Sequence, residues 1–374
     1  MARGARLKIS AAVAAGAAML GICASWAFGN LMEAFDNSPL PGAWRDTHVL
    51  ALDTDGTLLV DFYEGAPDDD GYHEGEVPGV ALLSTAGEVT EVLAPQDDPA
   101  GCEVSPSGAL DGERVAVAFS SWGRGVHQCR TYGLWTGTDA GLTKVGEILG
   151  DAGALDVTWG SLWFVDGGLT AVGRVPHTSG LDDTFLGIID PTTGVFTTWR
   201  TGVYLGFFPD ACGEYGADFS VGVHGLDADH LLQPLSFSVG GGSRTRSEVL
   251  PTPAGHHSLV PVTSCGDDVA GQPTGGSRTV VWQNDGQTQA VSIPDVAGDV
   301  YLGPGIVAAR TVQPPDTMGS LLIWDRATRE QLVSVPSCSR MLFIGEWLVV
   351  GTLQDGRCVP SATTLDALVS EQTD

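Results

Sequence analysis

Gly160-Ser-Leu-Trp-Phe-Val165 and, further on, Ile188-Ile-Asp-Pro-Thr-Thr-Gly-Val-Phe-Thr-Thr-Trp199 are the two halves of a phrase that recurs along the whole chain. The first half is a glycine turn leading into an apolar strand. It returns as Gly56-Thr-Leu-Leu-Val, Gly112-Glu-Arg-Val-Ala-Val-Ala, Gly216-Ala-Asp-Phe-Ser-Val, Gly266-Asp-Asp-Val-Ala, Gly305-Ile-Val-Ala-Ala and Gly345-Glu-Trp-Leu-Val-Val. The second half is a strand, a tight turn and another strand. Its turns fall at Gly87, Gly141, Gly194, Gly242, Gly286 and Arg329. A two-part phrase repeated at roughly 40 to 55 residues, with strands throughout, predicts an all-β chain of the propeller type. Seven phrases predict seven four-stranded blades.

Composition agrees. The chain has 374 residues, 43% of them hydrophobic, with 51 glycines and 21 prolines, as many short strands joined by many turns require. Eighteen basic residues stand against forty-six acidic ones, a formal net charge of −28. Such a surface repels phosphate backbones, which excludes nucleic acid as a partner. It also disfavours anionic lipid headgroups, so any membrane contact is expected through the amino terminus alone. Only two of the basic residues are lysines, Lys8 and Lys144.

Arg3, Arg6 and Lys8 precede an uncharged, mostly apolar run from Ile9 to Met32. Basic residues followed by an apolar helix are the plan of a secretory signal or an amino-terminal membrane anchor, and either places the rest of the chain outside the cytoplasm. Cleavage after Ala24 or Ala27 satisfies the small-residue rule, whereas the run is long enough to span a bilayer if retained. Leu20-Gly-Ile-Cys23 resembles a lipoprotein signal, with isoleucine where a small residue is expected. Residues 1–32 are therefore the export segment or anchor, 33–46 a linker, and 47–374 the propeller domain. The last strand phrase, Ala362–Val369, leaves no room for a fourth strand, and Thr47–Leu52 is expected to complete the final blade from the other end of the chain.

Six cysteines follow Cys23. An even number in an exported chain reads as disulfides. Cys102 and Cys338 each precede a blade's first phrase, and Cys129 and Cys358 each precede its outer hairpin. These matching places pair Cys102 with Cys129 and Cys338 with Cys358, leaving Cys212 to Cys265.

Val104-Ser-Pro-Ser-Gly108, followed by Gly112-Glu-Arg-Val-Ala-Val-Ala118, resembles the S-P-D-G-x-x-L-A phrase of TolB-like and WD40-like propellers, with serine for aspartate. Leu322-Ile-Trp-Asp325-Arg-Ala-Thr328-Arg-Glu330 is similar to their L-W-D-x-x-T-G-E phrase, with Arg329 in the glycine place, and Asp190-Pro-Thr-Thr-Gly194 matches the turn. The resemblance implies a scaffold for recognition rather than a reaction.

No G-x-S-x-G elbow, H-E-x-x-H pair, P-loop or dinucleotide fingerprint occurs, and no cofactor is expected. Asp68, Asp69, Asp70, Glu74 and Glu76 crowd one loop and could share a calcium ion. Asp53-Thr-Asp-Gly56 reads as a turn instead. His224 could face the pore, and His256-His257 could bind metal. The expected function is binding of a protein or cell-envelope partner by a monomer. The alternative is a hydrolase or lyase acting on an extracellular carbohydrate through carboxylates around the pore, which clustering of Asp or Glu with Arg at the pore mouth would favour. Non-reducing peptide mapping checks the cysteine scheme: three linked pairs are expected, and a free thiol at any of the six positions, or other pairings, would overturn it.

Overall fold

Leu58–Phe62 and Gly79–Leu83 are apolar or glycine at every position but Asp61, and every residue in them is buried. A strand of that kind is covered on both faces, so its sheet cannot lie at the surface of a two-layer sandwich; a neighbouring sheet must flank each side. The structure, a computed structural model, shows how. It describes residues 40–65, 73, 75–97, 103–122, 133–145, 149–150, 153–154, 158–165, 168–175, 183–190, 195–202, 206–209, 218–223, 233–238, 242–245, 250–252, 255–257, 259–265, 268–273, 278–311, 319–354 and 356–373. Among these the chain forms six four-stranded antiparallel sheets, one three-stranded sheet and three two-stranded ribbons.

The sheets follow one another in sequence. Sheet 1 comprises Thr47–Leu52, Leu58–Phe62, Gly79–Leu83 and Val89–Leu93; sheet 2 spans 103–144, sheet 3 spans 158–202 and sheet 4 spans 206–245. Sheet 5 spans 259–292, sheet 6 spans 297–337, and sheet 7 comprises Phe343–Ile344, Trp347–Gln354 and Arg357–Thr364. The first strands of sheets 1, 2 and 3 touch in succession, as do those of sheets 4, 5 and 6. Hydrophobic clusters fill the spaces between sheets 1 and 2 (Leu59, Val80, Val115, Phe119), 2 and 3 (Ala116, Leu134, Leu162, Leu169), and 5 and 6 (Trp282, Leu302, Val307). Others lie between sheets 6 and 7 (Ile323, Val333, Leu348) and between sheets 7 and 1 (Leu58, Val60, Val349, Val359).

The turns obey the sequence. Asp53-Thr-Asp-Gly56 closes the first hairpin of sheet 1, with the Gly56 amide donating to the Asp53 carbonyl at 3.1 Å and Gly56 at φ +87°. Arg329 adopts φ +67°, the left-handed conformation for which related phrases keep glycine. The Asp325 carboxylate accepts hydrogen bonds from the amides of Ala327 and Thr328 and from the Thr328 hydroxyl, which holds that turn in place.

Two expectations are corrected. Gly160 does not open a second strand. It lies inside the first strand of sheet 3, Thr158–Val165, where the register shifts between Trp159 and Ser161, and the second strand is Gly168–Val175. An isolated glycine in an apolar run reads equally as a turn or as a bulge. The second correction concerns the final blade. Thr47–Leu52 pairs with Leu58–Phe62 inside sheet 1 and lends no strand to sheet 7, which therefore has three strands and not four. Residues Leu365–Thr373 form a helix instead. The Thr364 hydroxyl accepts from the Ala367 amide at 3.3 Å, as an N-cap does, and Leu365, Leu368 and Val369 recur at helical spacing against Leu321, Val333 and Leu348. The helix packs its apolar residues into the space between sheets 6 and 7. The apolar run 9–32 lies outside the described residues. Among the described ones no helix is long and apolar enough to cross a membrane.

The first and last sheets meet without a shared ladder. Trp44, in the segment before the first strand, is buried and stacks on Phe62 with ring centroids 3.8 Å apart. Arg357 of sheet 7 donates to the Trp44 carbonyl at 2.7 Å. At the other end of these sheets Gly56 lies against Trp347: a methyl added there would stand 2.8 Å from the indole and 2.6 Å from Thr85. Truncating Trp44→Ala should therefore lower stability to denaturant by about 3–5 kcal/mol. Gly56→Ala should cost at least about 1–2 kcal/mol from its left-handed backbone alone. An unchanged urea midpoint for Trp44→Ala would show that this junction does not hold the ring closed.

Candidate functional site

In each sheet the start of the first strand lies beside the end of the second, so the register defines which residues share one end of the molecule. Thr47 pairs with Phe62, Asp299 with Arg310, and Gln354 with Arg357, while the Cys338 amide donates to the Gly351 carbonyl. Asp46, His48, Asp61, Asp299, Arg310 and Arg340 all fall at that end, contributed by sheets 1 and 6 and by the segment leading into sheet 7.

Asp61 is the anchor. It is a carboxylate in the middle of the run Leu58-Leu-Val-Asp-Phe62, and its side chain is only 2% exposed. Directly across the ladder stands His48, whose amide donates to Asp61 Oδ1 at 2.7 Å and whose ring Nδ1 lies 3.0 Å from the same oxygen. The hydrogen bond and charge of Asp61 raise the His48 pKa above its ordinary 6.5. Asp46, just before the strand, adds to the rise; desolvation and the positive Arg340 oppose it. Arg340 feels Asp299 and Asp61 in turn, and burial pulls its pKa below the usual arginine value. Solvent still reaches Arg340 and 63% of the His48 side chain. Arg310 joins the cluster: one of its guanidinium nitrogens lies 3.8 Å from Asp299 Oδ2, and another donates to the Cys338 carbonyl at 3.3 Å.

Beside this cluster His73 is clamped in place. Its ring stacks on Tyr63 at 3.9 Å, its Nε2 lies 2.8 Å from Asp46 Oδ2, and the Tyr63 hydroxyl donates to the Val104 carbonyl of sheet 2 at 3.0 Å. Glu76 belongs to this neighbourhood. Its Oε1 accepts from the amides of Glu64 and Gly65 at 3.0 and 3.4 Å. Asp68, Asp69, Asp70 and Glu74, expected with Glu76 as calcium ligands, lie outside the described residues, as does His224. Among the described residues no three histidine, cysteine, aspartate or glutamate side chains group as a metal site would.

Cys338 and Cys358 are disulfide-bonded, with Cα atoms 5.8 Å apart, as their matching places suggest. Cys265 is bonded as well; Cys102, Cys129 and Cys212 lie outside the described residues.

The opposite end of the sheets is occupied by ties between neighbours. Asp53 Oδ2 of sheet 1 accepts from the Gly112 amide of sheet 2 at 2.8 Å. Arg326 of sheet 6 is buried, donates to Cys265 Sγ and to the Gly303 carbonyl at 3.1 Å each, and pairs with Asp268 of sheet 5. The indole nitrogen of Trp282 donates to the Arg326 carbonyl at 3.0 Å. Of the tryptophans, Trp135, Trp282 and Trp324 are buried between sheets. None of the five groups His48, Asp61, Asp299, Arg310 and Arg340 was singled out by sequence reasoning. The available signal was Asp61, an ionisable residue inside a run that must be buried on both faces.

No known family model matches the sequence, and no curated protein matches it. In three dimensions the chain is similar to the β-propeller domain of the Trilobed protease from Pyrococcus furiosus, described as having an open velcro topology. The TM-score is 0.50 at 11% identity, covering 86% of this chain and 98% of that one. It is similar to an acylaminoacyl peptidase from Pyrococcus horikoshii, with TM-score 0.52 and 12% identity over 89% of this chain but only 54% of the peptidase. It is similar also to an oligogalacturonate lyase solved with manganese, with TM-score 0.52 and 12% identity over 88% of this chain and 92% of the lyase. At such identities the likeness is one of fold. The fold is a β-propeller, in agreement with the TolB-like and WD40-like phrases, and the first strands therefore line its axis.

The His48–Asp61 pair has a pH signature. Folded His48 holds its proton more tightly than the unfolded chain does, so its contribution to stability is complete below pH 6.5 and is lost as pH rises through the raised value. In Asp61→Asn both raising effects of that carboxylate vanish while desolvation and Arg340 remain. The His48 ring proton, followed by NMR, should then titrate at a lower pH than in the native protein; an unmoved titration would dissolve the pair.

Proposed function

We propose that this chain is an exported recognition module, a ring of seven blades whose open axial end receives a protein or cell-envelope partner. The single observation behind this is a cluster of charged groups, His48, Asp61, Asp299, Arg310 and Arg340, at one end of the sheets, with His48 and Arg340 open to solvent. Charged groups that are partly desolvated and still open to water are a recurring mark of functional sites. Export is supported by the basic residues and apolar run of positions 1–32, acting as a signal or anchor, and by the Cys338–Cys358 disulfide, which persists in oxidising compartments. The propeller itself occupies 47–374, with Leu40 and Trp44 packed onto it from the segment 33–46.

A second reading is a hydrolase or lyase acting on an extracellular carbohydrate. The clustering of aspartates with Arg340 at the axis favours it: His48 held by Asp61 could move a proton, and the guanidinium could meet developing negative charge. The likeness in fold to a lyase, a peptidase and a protease domain is compatible with this reading and carries no more than that.

One experiment separates the two. The purified protein is incubated with isolated cell-envelope material and with a panel of acidic and neutral polysaccharides, followed by sedimentation, reducing-end release and absorbance of unsaturated uronate. Saturable co-sedimentation without product is the expected result. Product formation, abolished in His48→Gln, would replace recognition by catalysis. Neither sedimentation nor product would remove both readings.

A further inference from the structure

Arg326 donates through one guanidinium nitrogen to the Sγ atom of Cys265 at 3.1 Å, and both residues are buried at the boundary of sheets 5 and 6. Cys265 is one half of a disulfide, so a cation rests directly on a cystine sulfur. Its surroundings hold it there. Cys265 and Asp268 pair across the first hairpin of sheet 5, Asp268 binds the other terminal nitrogen of Arg326, and the Gly303 carbonyl shares the first at 3.1 Å. The Arg326 amide donates to the Gly305 carbonyl at 2.9 Å, and the Trp282 indole donates to the Arg326 carbonyl at 3.0 Å. Arg326 Nε is buried and meets no acceptor among the described residues. A neutral sulfur is a weak acceptor and returns little to a buried guanidinium. A thiolate in the same place would accept a charge-assisted bond, roughly twice as strong as a neutral one, and could take Nε as a further donor. The second disulfide supplies the contrast. Arg310 reaches the Cys338 carbonyl oxygen, and among the described residues no donor reaches the sulfur of Cys338 or Cys358.

We infer that the Cys265 disulfide is a redox-active bond, reducible by a dithiol, and that the Arg326 guanidinium stabilises the Cys265 thiolate which reduction releases. One thiolate of the dithiol attacks the sulfur to which Cys265 is bonded. The protein S–S bond breaks, and its electron pair leaves on Cys265 Sγ. The second thiol of the dithiol, having lost its proton, then attacks the mixed disulfide and closes the dithiol into a disulfide. The other protein cysteine leaves as a thiolate and takes up a proton. The dithiol is oxidised by two electrons and the protein cystine reduced by two. A leaving thiolate stabilised by a neighbouring cation departs faster, and a stabilised reduced form makes the bond more oxidising. Asp268 sets the limit, because it shares the same guanidinium and partly neutralises it. The Cys338–Cys358 bond lacks such a cation and is the permanent staple of the two. This site lies at the boundary of sheets 5 and 6, and it stands whether the axial end recognises a partner or performs a reaction.

The test equilibrates the full chain, without oxygen at pH 7, in mixtures of reduced and oxidised dithiothreitol. Free thiols are trapped with iodoacetamide and assigned by peptide mass spectrometry, with far-UV circular dichroism to confirm that the chain stays folded. Cys265 should be half-reduced at a ratio of reduced to oxidised dithiothreitol about tenfold or more below the ratio that half-reduces Cys338–Cys358. Arg326→Gln should move the Cys265 midpoint about tenfold toward stronger reductant and leave the Cys338–Cys358 midpoint in place, and Arg326→Lys, which keeps the charge, should recover part of the shift. The sign separates this role from a structural one. A boundary merely loosened by the substitution would make the Cys265 bond easier to reduce, whereas a thiolate that has lost its cation makes it harder. Asp268→Asn supplies a second variant of opposite sense: freed from its carboxylate, the guanidinium should ease reduction of Cys265. If Arg326→Gln fails to fold, the native midpoints and Asp268→Asn decide. Equal midpoints for the two native bonds, an unmoved or easier reduction of Cys265 in folded Arg326→Gln, or an unmoved midpoint in Asp268→Asn would each overturn the inference.

Discussion

The junction between the first and the last sheet is the constraint on which everything else in this molecule depends. Every sheet whose side chains are described is apolar on both faces, so each needs a neighbour on either side, and a row of such sheets is satisfied only when its ends meet. A shared sheet with strands from both termini would secure the meeting by a backbone ladder. Here sheet 1 is built wholly from residues 47–93 and sheet 7 wholly from 343–364, so closure falls to side chains. Trp44 on Phe62, Val349 and Val359 against Leu58 and Val60, and Arg357 on the Trp44 carbonyl supply apolar area, shape and one charge-assisted hydrogen bond. The C-terminal helix packs against sheets 6 and 7, with Gln372 reaching the Ser334 carbonyl of sheet 6 at 3.1 Å.

That closure also explains where polar groups are allowed. Between sheets the spaces are filled by Val, Leu, Ile, Phe and Trp, and an ionisable side chain survives only at the ends, where strands stop and carbonyls are exposed. Asp61 is the buried member of the axial cluster. It is buried one residue from the end of its strand, and the His48 amide and ring, both on the facing strand, answer its charge. Because the two residues are fixed by one register pair, their geometry is as rigid as the ladder itself, and a rigid pair at the axis is what a selective site requires.

Much of this was legible in the sequence, and the parts that were not share a cause. The turn at Asp53–Gly56, the left-handed place of Arg329, the second strands at Gly56, Gly112, Gly216, Gly266, Gly305 and Gly345, and the Cys338–Cys358 pair follow from local chemistry or from a repeat that a single chain displays. Gly160 misled because glycine signals both turn and bulge, and only pairing with the neighbouring strand decides between them. Residues Leu365–Val369 misled because an apolar triple spaced for a helix also continues a strand pattern; the capping threonine at 364 was the discriminating residue. The axial cluster was illegible for a different reason. His48, Asp299 and Arg340 come from positions nearly three hundred residues apart, and no local pattern announces which strand ends will share an axis.

The near absence of lysine acquires a physical account from the same geometry. A tie between two sheets must reach a carbonyl, a carboxylate or an aromatic face across a narrow gap, often more than one of them, and must hold its direction. The guanidinium, planar and with donors pointing several ways, does this; an ammonium on a flexible stem does not. Arg114 bridges sheets 2 and 3 through Phe164, Arg326 bridges sheets 5 and 6, Arg310 reaches from sheet 6 to the start of sheet 7, and Arg357 joins sheet 7 to the Trp44 carbonyl before sheet 1. Four of the eighteen basic residues of a chain of net charge −28 make these ties, and all four are arginines.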